Sequence, residues 1–304
     1  MSHLDLHLVD FLLHRLRMYR NWRSMKPQHF KQWKKRYVFE LQFGNKDRIP
    51  FPLPGGIQII LEKNNQLSFA IYQGFEEDEL AFVQDFLRPG MGFLDIGANV
   101  GLFSLHAAKI LKGSAPCIAV EPASKTRQKL EENLALNHLS QVQILPLAFS
   151  DTQGELPLLL AEDGFDAFHS FAQPFMGGKI GQEMVQTQTL DNWTQENPEL
   201  AASIRLVKLD VEGWEVKVLK GASNWLAQPN APILLVEFTE VNAQQAGHSC
   251  VELSESLFQL GYTLFRYQPK TKTLLPELPG KTYDYCNLLA IKDPNQVREQ
   301  LNAK

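Results

Sequence analysis

The sequence predicts an α/β fold: a mostly parallel, seven-stranded sheet with helices on both faces, preceded by a basic helical extension and a small β-hairpin. Two observations carry this expectation. From residue 93 onward, short apolar runs alternate with amphipathic ones, as in strands covered by helices on both sides. Within that rhythm, Phe93-Leu94-Asp95-Ile96-Gly97-Ala98-Asn99-Val100-Gly101 reads as an apolar strand ending in an acid, then a turn through two glycines into a helix. Glycine suits such a turn because the backbone bends sharply and lets a ligand come close, and a Cβ would obstruct both.

Taken in order, the first 36 residues carry Arg15, Arg17, Arg20, Arg23, Lys26, Lys31, Lys34, Lys35 and Arg36 against only Asp5 and Asp10. Leu4, Leu8, Phe11, Leu12, Leu16 and Tyr19 recur near helical spacing, giving an amphipathic helix with a basic polar side. Such a helix either packs on its neighbour, dimerises or touches a membrane surface. Pro50, Pro52, Pro54, Gly55 and Gly56 mark a loop. Residues 56–62 and 67–72 then read as a strand pair, closing an extension of residues 1–70 before a main domain of residues 71–304. Residues 76–87 are helical, stopped by Pro89-Gly90. Strands follow at 93–96, 117–121, 142–147, 204–209, 233–238, 262–267 and 287–291, with helices at 103–111, 124–137, 215–221 and 253–260. Between residues 151 and 193 an insertion holds a strand at 156–160, a loop with Gly164, His169 and Ser170, and an alternating edge strand at 185–190. Long irregular insertions in compact domains are usually functional or disordered.

Composition narrows the class. Hydrophobic residues make up 44% and charged residues 21% of 304, which fits a globular chain and excludes a disordered or coiled-coil one. A net charge of -4 gives no case for nucleic-acid binding. Three scattered cysteines make neither a disulfide framework nor a zinc site. No apolar run reaches the roughly 18 residues of a spanning helix, so the expected location is the cytoplasm, with or without peripheral membrane contact.

The acid and the glycine spacing narrow the ligand. Asp95, two residues before the first glycine, favours a cationic group over a pyrophosphate, and the Gly-x-x-x-Gly spacing departs from the dinucleotide pattern. Glu121 follows the second strand, placed to accept hydrogen bonds from both hydroxyls of a ribose. Two further blocks stand out: Glu121-Pro122, and Val207-Lys208-Leu209-Asp210-Val211-Glu212-Gly213-Trp214-Glu215. With Asp-Ile-Gly-Ala-Asn-Val-Gly, they resemble the FkbM family of class I S-adenosylmethionine-dependent methyltransferases. Weaker matches are Ala148-Phe149-Ser150-Asp151, Thr189-Leu190-Asp191 and Val236-Glu237-Phe238.

The resemblance covers roughly residues 70–292 and implies a Rossmann-like class I methyltransferase fold. It also implies S-adenosylmethionine as cofactor, S-adenosylhomocysteine as product, and O-methylation of a small-molecule or glycan acceptor: a sugar, glycolipid or secondary metabolite. Gly97, Asn99 and Gly101 would bring backbone N–H groups to the methionine part, Asp95 would offset its positive charge, and Phe149 would stack near adenine. On the acceptor side, Asp210 and Glu237 are the first candidates for a base, joined by Glu212 and by His169 in the insertion, whose ordinary pKa lies near neutrality. Clustered carboxylates also suit a divalent cation, which the resemblance does not require. Asp210, Glu212 and Glu215 can alternatively serve as acids in a helix first turn. Two other functions share these features: an N-methyltransferase, and a protein that keeps the fold for binding alone.

Overall fold

The computed structural model describes residues 27–161, 164, 169–171, 179–278 and 280–303. Most of the basic segment, residues 1–26, lies outside them, as does the part of the insertion holding Pro174, Gly177 and Gly178. The chain divides into two compact units, Met1–Ile49 and Pro50–Lys304.

In the first unit, helix α1 (Pro27–Leu41) stacks Trp33 on Tyr37 with ring centroids 5.5 Å apart, and pairs Arg36 with Glu40 one turn on. Lys31, Lys34 and Lys35 are exposed. No helix among the described residues is long and apolar enough to cross a membrane.

A hairpin of β1 (Arg48–Leu53) and β2 (Ile57–Glu62) leads into α2 (Gln66–Tyr72) and α3 (Glu77–Phe86). The expected strand at 67–72 is therefore a helix, and the hairpin uses the proline-rich run instead. Alternation over so few residues does not separate the two readings. Capping does: the Asn65 side chain accepts from the Ser68 N–H and starts α2. The free edge of β2 is also occupied. Gln58 and Ile60 donate their N–H groups to the side-chain oxygens of Asn137 and Asn133, and Glu62 donates to the Ser68 hydroxyl, so no ladder donors remain for another strand.

The α/β core follows in the order β3 (Gly92–Ile96), α4 (Leu102–Leu111), β4 (Cys117–Val120), α5 (Ser124–Leu136), β5 (Gln143–Leu145), β6 (Ala148–Phe149), β7 (Gly154–Ala161), β8 (Lys179–Gln188), α6 (Leu190–Glu196), α7 (Pro198–Ser203), β9 (Ile204–Leu209), α8 (Glu215–Lys220), α9 (Ser223–Ala227), β10 (Ile233–Phe238), α10 (Glu240–Gln245), α11 (Cys250–Gln259), β11 (Thr263–Gln268), β12 (Thr273–Pro276), β13 (Cys286–Ile291) and α12 (Pro294–Asn302). The main sheet has eight strands in the order β12-β11-β13-β10-β9-β3-β4-β5, one more than expected. Its centre, β10-β9-β3-β4-β5, is parallel, and β13 enters antiparallel beside β10. The added strand, β12, is an edge strand ending in Pro276, where a missing N–H costs no ladder bond. β5 is shorter than the expected strand because Pro146 cannot donate, and the chain leaves the sheet there.

Fully buried strands β3, β4, β10 and β13 fill the middle of the core, with Leu94, Ile96, Val207, Leu209, Leu234 and Val236 in one apolar cluster. The insertion forms a second sheet, β6-β8-β7, in which β7 and β8 pair antiparallel. Glu183 on β8 caps α5, accepting from both the N–H and the hydroxyl of Ser124. Strand order reverses between β3 and β9, which opens a crevice at their carboxyl ends.

Candidate functional site

That crevice is a cavity of about 470 Å³, and every candidate residue except Gly101 lines it. Gly97 follows β3 with φ of +84°, and a Cβ there would lie 1.7 Å from the Asp210 carbonyl oxygen. The glycine is thus required first by protein packing: it lets the turns after β3 and β9 touch, with the Asp210 N–H donating to Ile96 O at 3.0 Å. The turn's donors differ from expectation. Gly97 donates to Val120 O, Gly101 to Ala98 O and Asn99 to Glu121 Oε2, so these three N–H groups are already bonded within the protein. The first turn of α4 has no helical partners for its N–H groups, and of these the Ser104 N–H is directed at Asp95. The Asn99 side-chain oxygen is a buried acceptor with no partner among the described residues.

Two buried acids flank this turn. Asp95 accepts from the Ser104 hydroxyl at 2.6 Å, and burial pushes its carboxyl up to about 6, against the pull of Ser104 and Lys208. Glu121 takes the N–H groups of Asn99 and Ala123 on its two oxygens, each at 2.9 Å. Burial raises it to about 7. Each carboxylate oxygen keeps a second lone pair for a ligand donor. Phe149, on β6, is 1% exposed, and Trp193 meets it edge-on with centroids 6.0 Å apart.

Asp210, Glu212 and Glu237 converge at the other end, each offering an oxygen within 4.8 Å of the others. This spacing suits a cation, though Lys208 Nζ already holds Asp210 Oδ2 at 2.8 Å. Burial, with the charge of Asp210 next, raises Glu212 and Glu237 well above the usual carboxylate range. Glu237 accepts from the Thr239 hydroxyl and Glu212 from the Asn242 amide. Glu215 serves the backbone instead, because its Oε1 accepts the N–H groups of Val211 and Gly213 and closes the turn before α8. In that turn a Cβ on Gly213, at φ of +97°, would sit 2.3 Å from Asn242 O.

The insertion docks on the same turn. The Ser170 hydroxyl donates to Glu212 O at 2.8 Å and Phe171 meets the Trp214 ring. His169 lines the cavity, but its Nδ1 accepts the Ala161 N–H at 3.0 Å. A neutral ring so bonded carries its proton on Nε2.

Lys208 is the hub of this end, a role that the chain's spacing only half discloses. Its ammonium, 1% exposed as a residue, reaches Asp210, Glu76 at 3.4 Å and Asn287 at 3.3 Å, and lies 4.8 Å over the Phe103 ring. Burial disfavours its charge, but Asp210 and Glu76 outweigh burial and hold it protonated. Glu76 in turn accepts from the Tyr285 hydroxyl and the Asn287 amide. Glu76, Asn242, Tyr285 and Asn287 were not among the expected residues, and only the acid run 76–79 hints at the first of them.

A model of the methyltransferase FkbM domain matches residues 95–264. The chain belongs to the FkbM methyltransferase family. Among curated relatives, Methyltransferase 1 of Beauveria bassiana is 31% identical over 143 residues, 42% of this chain and 57% of that protein. Methyltransferase sdnD of Sordaria araneosa is 31% identical over 153 residues, 42% of this chain and 59% of that protein. The matches thus span little more than half the length of these relatives. A solved FkbM methyltransferase from Methylobacillus flagellatus is similar at a TM-score of 0.40 and 14% identity, over 86% of this chain and 59% of that one. The FkbM domain match leaves out Glu76, Tyr285 and Asn287, so the Lys208 hub is completed by segments flanking it.

Proposed function

We propose that this FkbM-family chain binds S-adenosylmethionine and transfers its methyl group to a hydroxyl of a small acceptor, a sugar, glycolipid or secondary metabolite. One observation carries the reading. A single cavity joins a nucleoside-type end, Asp95, Glu121 and Phe149, to a carboxylate end, Asp210, Glu212 and Glu237. The Asn99 oxygen, without a partner among the described residues, and the two buried acids are acceptors that fit a cofactor with ribose hydroxyls and an ammonium.

When bound, S-adenosylmethionine supplies an electrophilic methyl group on a sulfonium. Glu121 accepts from the ribose hydroxyls, Asp95 faces the cationic amino-acid part, and Phe149 walls the adenine. The protein's remaining work is to align the acceptor and remove its proton. Glu237 is the base we favour, because a carboxylate raised by burial and by like-charged neighbours binds a proton more strongly than an exposed one. Asp210, tied to Lys208, orients the acceptor, Glu212 lines the same rim, and His169 donates a hydrogen bond. The excess of carboxylates over the single Lys208 ammonium also favours an amine acceptor, so N-methylation is the second reading.

Calorimetric titration with S-adenosylmethionine tests the cofactor assignment. Glu121→Ala is expected to weaken binding by roughly 10- to 100-fold, the worth of hydrogen bonds to a charged acceptor. Wild-type protein that does not bind, and is indistinguishable from the variant, would sink the enzyme reading. On the acceptor side, Asp210→Asn is expected to lower turnover, read as S-adenosylhomocysteine release with sugar and glycolipid acceptors, far more than it lowers cofactor affinity. An equal loss of both would move Asp210 to the cofactor end.

A further inference from the structure

We propose that Ser104 is a positioning residue for the cofactor, its hydroxyl holding the Asp95 carboxylate toward the cationic amino-acid part of S-adenosylmethionine. The inference rests on the cofactor assignment above and extends it to a residue that does not itself line the cavity. Ser104 is the third residue of α4 and has no exposure, and Asp95 is 2% exposed on β3. Two buried polar groups in direct contact at 2.6 Å make a charge-assisted hydrogen bond of the strong kind.

Its consequence follows from what else faces Asp95. From β9 come the Lys208 ammonium, which favours the ionised form, and Asp210, which disfavours it. From β4 come the Cys117 thiol and the Glu121 carboxyl. From α4 come the Ser104 hydroxyl and, with a smaller effect, the Ser104 backbone N–H. Burial leaves Asp95 titrating at about 6, so its charge near neutrality depends on the groups that offset desolvation. A hydroxyl donor stabilises the carboxylate over the carboxylic acid, and an alanine does not. Without it the carboxylate keeps only the weaker backbone N–H of residue 104 and is more often protonated, and its attraction for a cationic ligand falls. The sign is fixed: cation binding needs the ionised form, so affinity declines as the pH drops through the Asp95 pKa. Losing the hydroxyl moves that decline to higher pH.

The test compares two ligands on the full chain, S-adenosylmethionine and methylthioadenosine, which keeps the nucleoside but lacks the amino-acid part. Ser104→Ala is expected to weaken S-adenosylmethionine by roughly tenfold, more at about pH 6 than at about pH 8, and to leave methylthioadenosine binding unchanged. Ser104→Thr, which keeps the hydroxyl, is expected to restore the wild-type profile. Equal weakening for both ligands at every pH would reduce Ser104 to packing and overturn the proposal, as would no weakening at all. A wild-type protein that binds methylthioadenosine but not S-adenosylmethionine would also overturn it. One that binds neither would bring down the cofactor assignment and this proposal with it.

Discussion

Alanine at position 97 is expected to abolish measurable cofactor binding and to lower the melting temperature by roughly 10 °C. Two costs add. At φ of +84° the backbone lies where a Cβ is strained by about 1–2 kcal/mol. The new Cβ would also stand 1.7 Å from the Asp210 carbonyl oxygen, which is backbone and cannot rotate away. Relieving such overlap typically costs about 1–3 kcal/mol or more, and at this chain length each kcal/mol is worth roughly 2–4 °C. The displaced atoms belong to the turn that carries Asp210 and Glu212, so the site distorts along with the fold. Gly113→Ala is the control. Its φ is +75°, yet nothing lies within 4 Å of the position a Cβ would take, so it isolates the backbone cost. Thermal denaturation by circular dichroism compares the two variants. If Gly97→Ala melts within a degree or so of Gly113→Ala, the contact with Asp210 does not constrain position 97.

Lys208→Met is expected to cost about 3–5 kcal/mol in urea denaturation, the usual penalty for removing one partner of a buried ion pair. Methionine keeps the length of the side chain and its packing on Phe103 but leaves the Glu76 carboxylate, whose side chain is 4% exposed, without its cation. The penalty comes from the charge left behind, since buried pairs as such add little net stability. Adding Glu76→Gln should therefore recover part of the loss, because the amide needs no counter-charge and can still accept from Tyr285. A loss under about 1 kcal/mol, or a double variant weaker than the sum of the two singles, would mean that the network tolerates an unpaired acid.

Both predictions depend on contacts that differ in how visible they are from the chain. The strand from Phe93 to Ile96, the turn through Gly97 and the acids Asp95 and Glu121 were legible because each is local. Apolar runs, a positive-φ glycine and a short interval along one strand-turn-helix leave their marks within about thirty residues. The α/β alternation was legible for the same reason. What went astray shows the limit. Residues 67–72 alternate like a strand but form α2, because Asn65 caps it and because Asn133 on α5 and Asn137 just after it, some seventy residues away, occupy the edge of β2. The backbone N–H of Ala161, on β7, that meets His169 Nδ1 is likewise invisible to the residue's ordinary pKa.

The sequence by itself determined the family, the order of strands and helices through the core, and the residue types at the carboxyl ends of the strands. All of these follow from neighbours in the chain and from apolar periodicity. The tertiary structure alone decided which of those residues meet. It set Gly97 against Asp210, spent the turn's N–H groups inside the protein, and brought Glu76 to Lys208 across 132 residues of chain. Such pairings are fixed by how the sheet closes and which strand edges remain open, and periodicity along one segment carries no information about its partner.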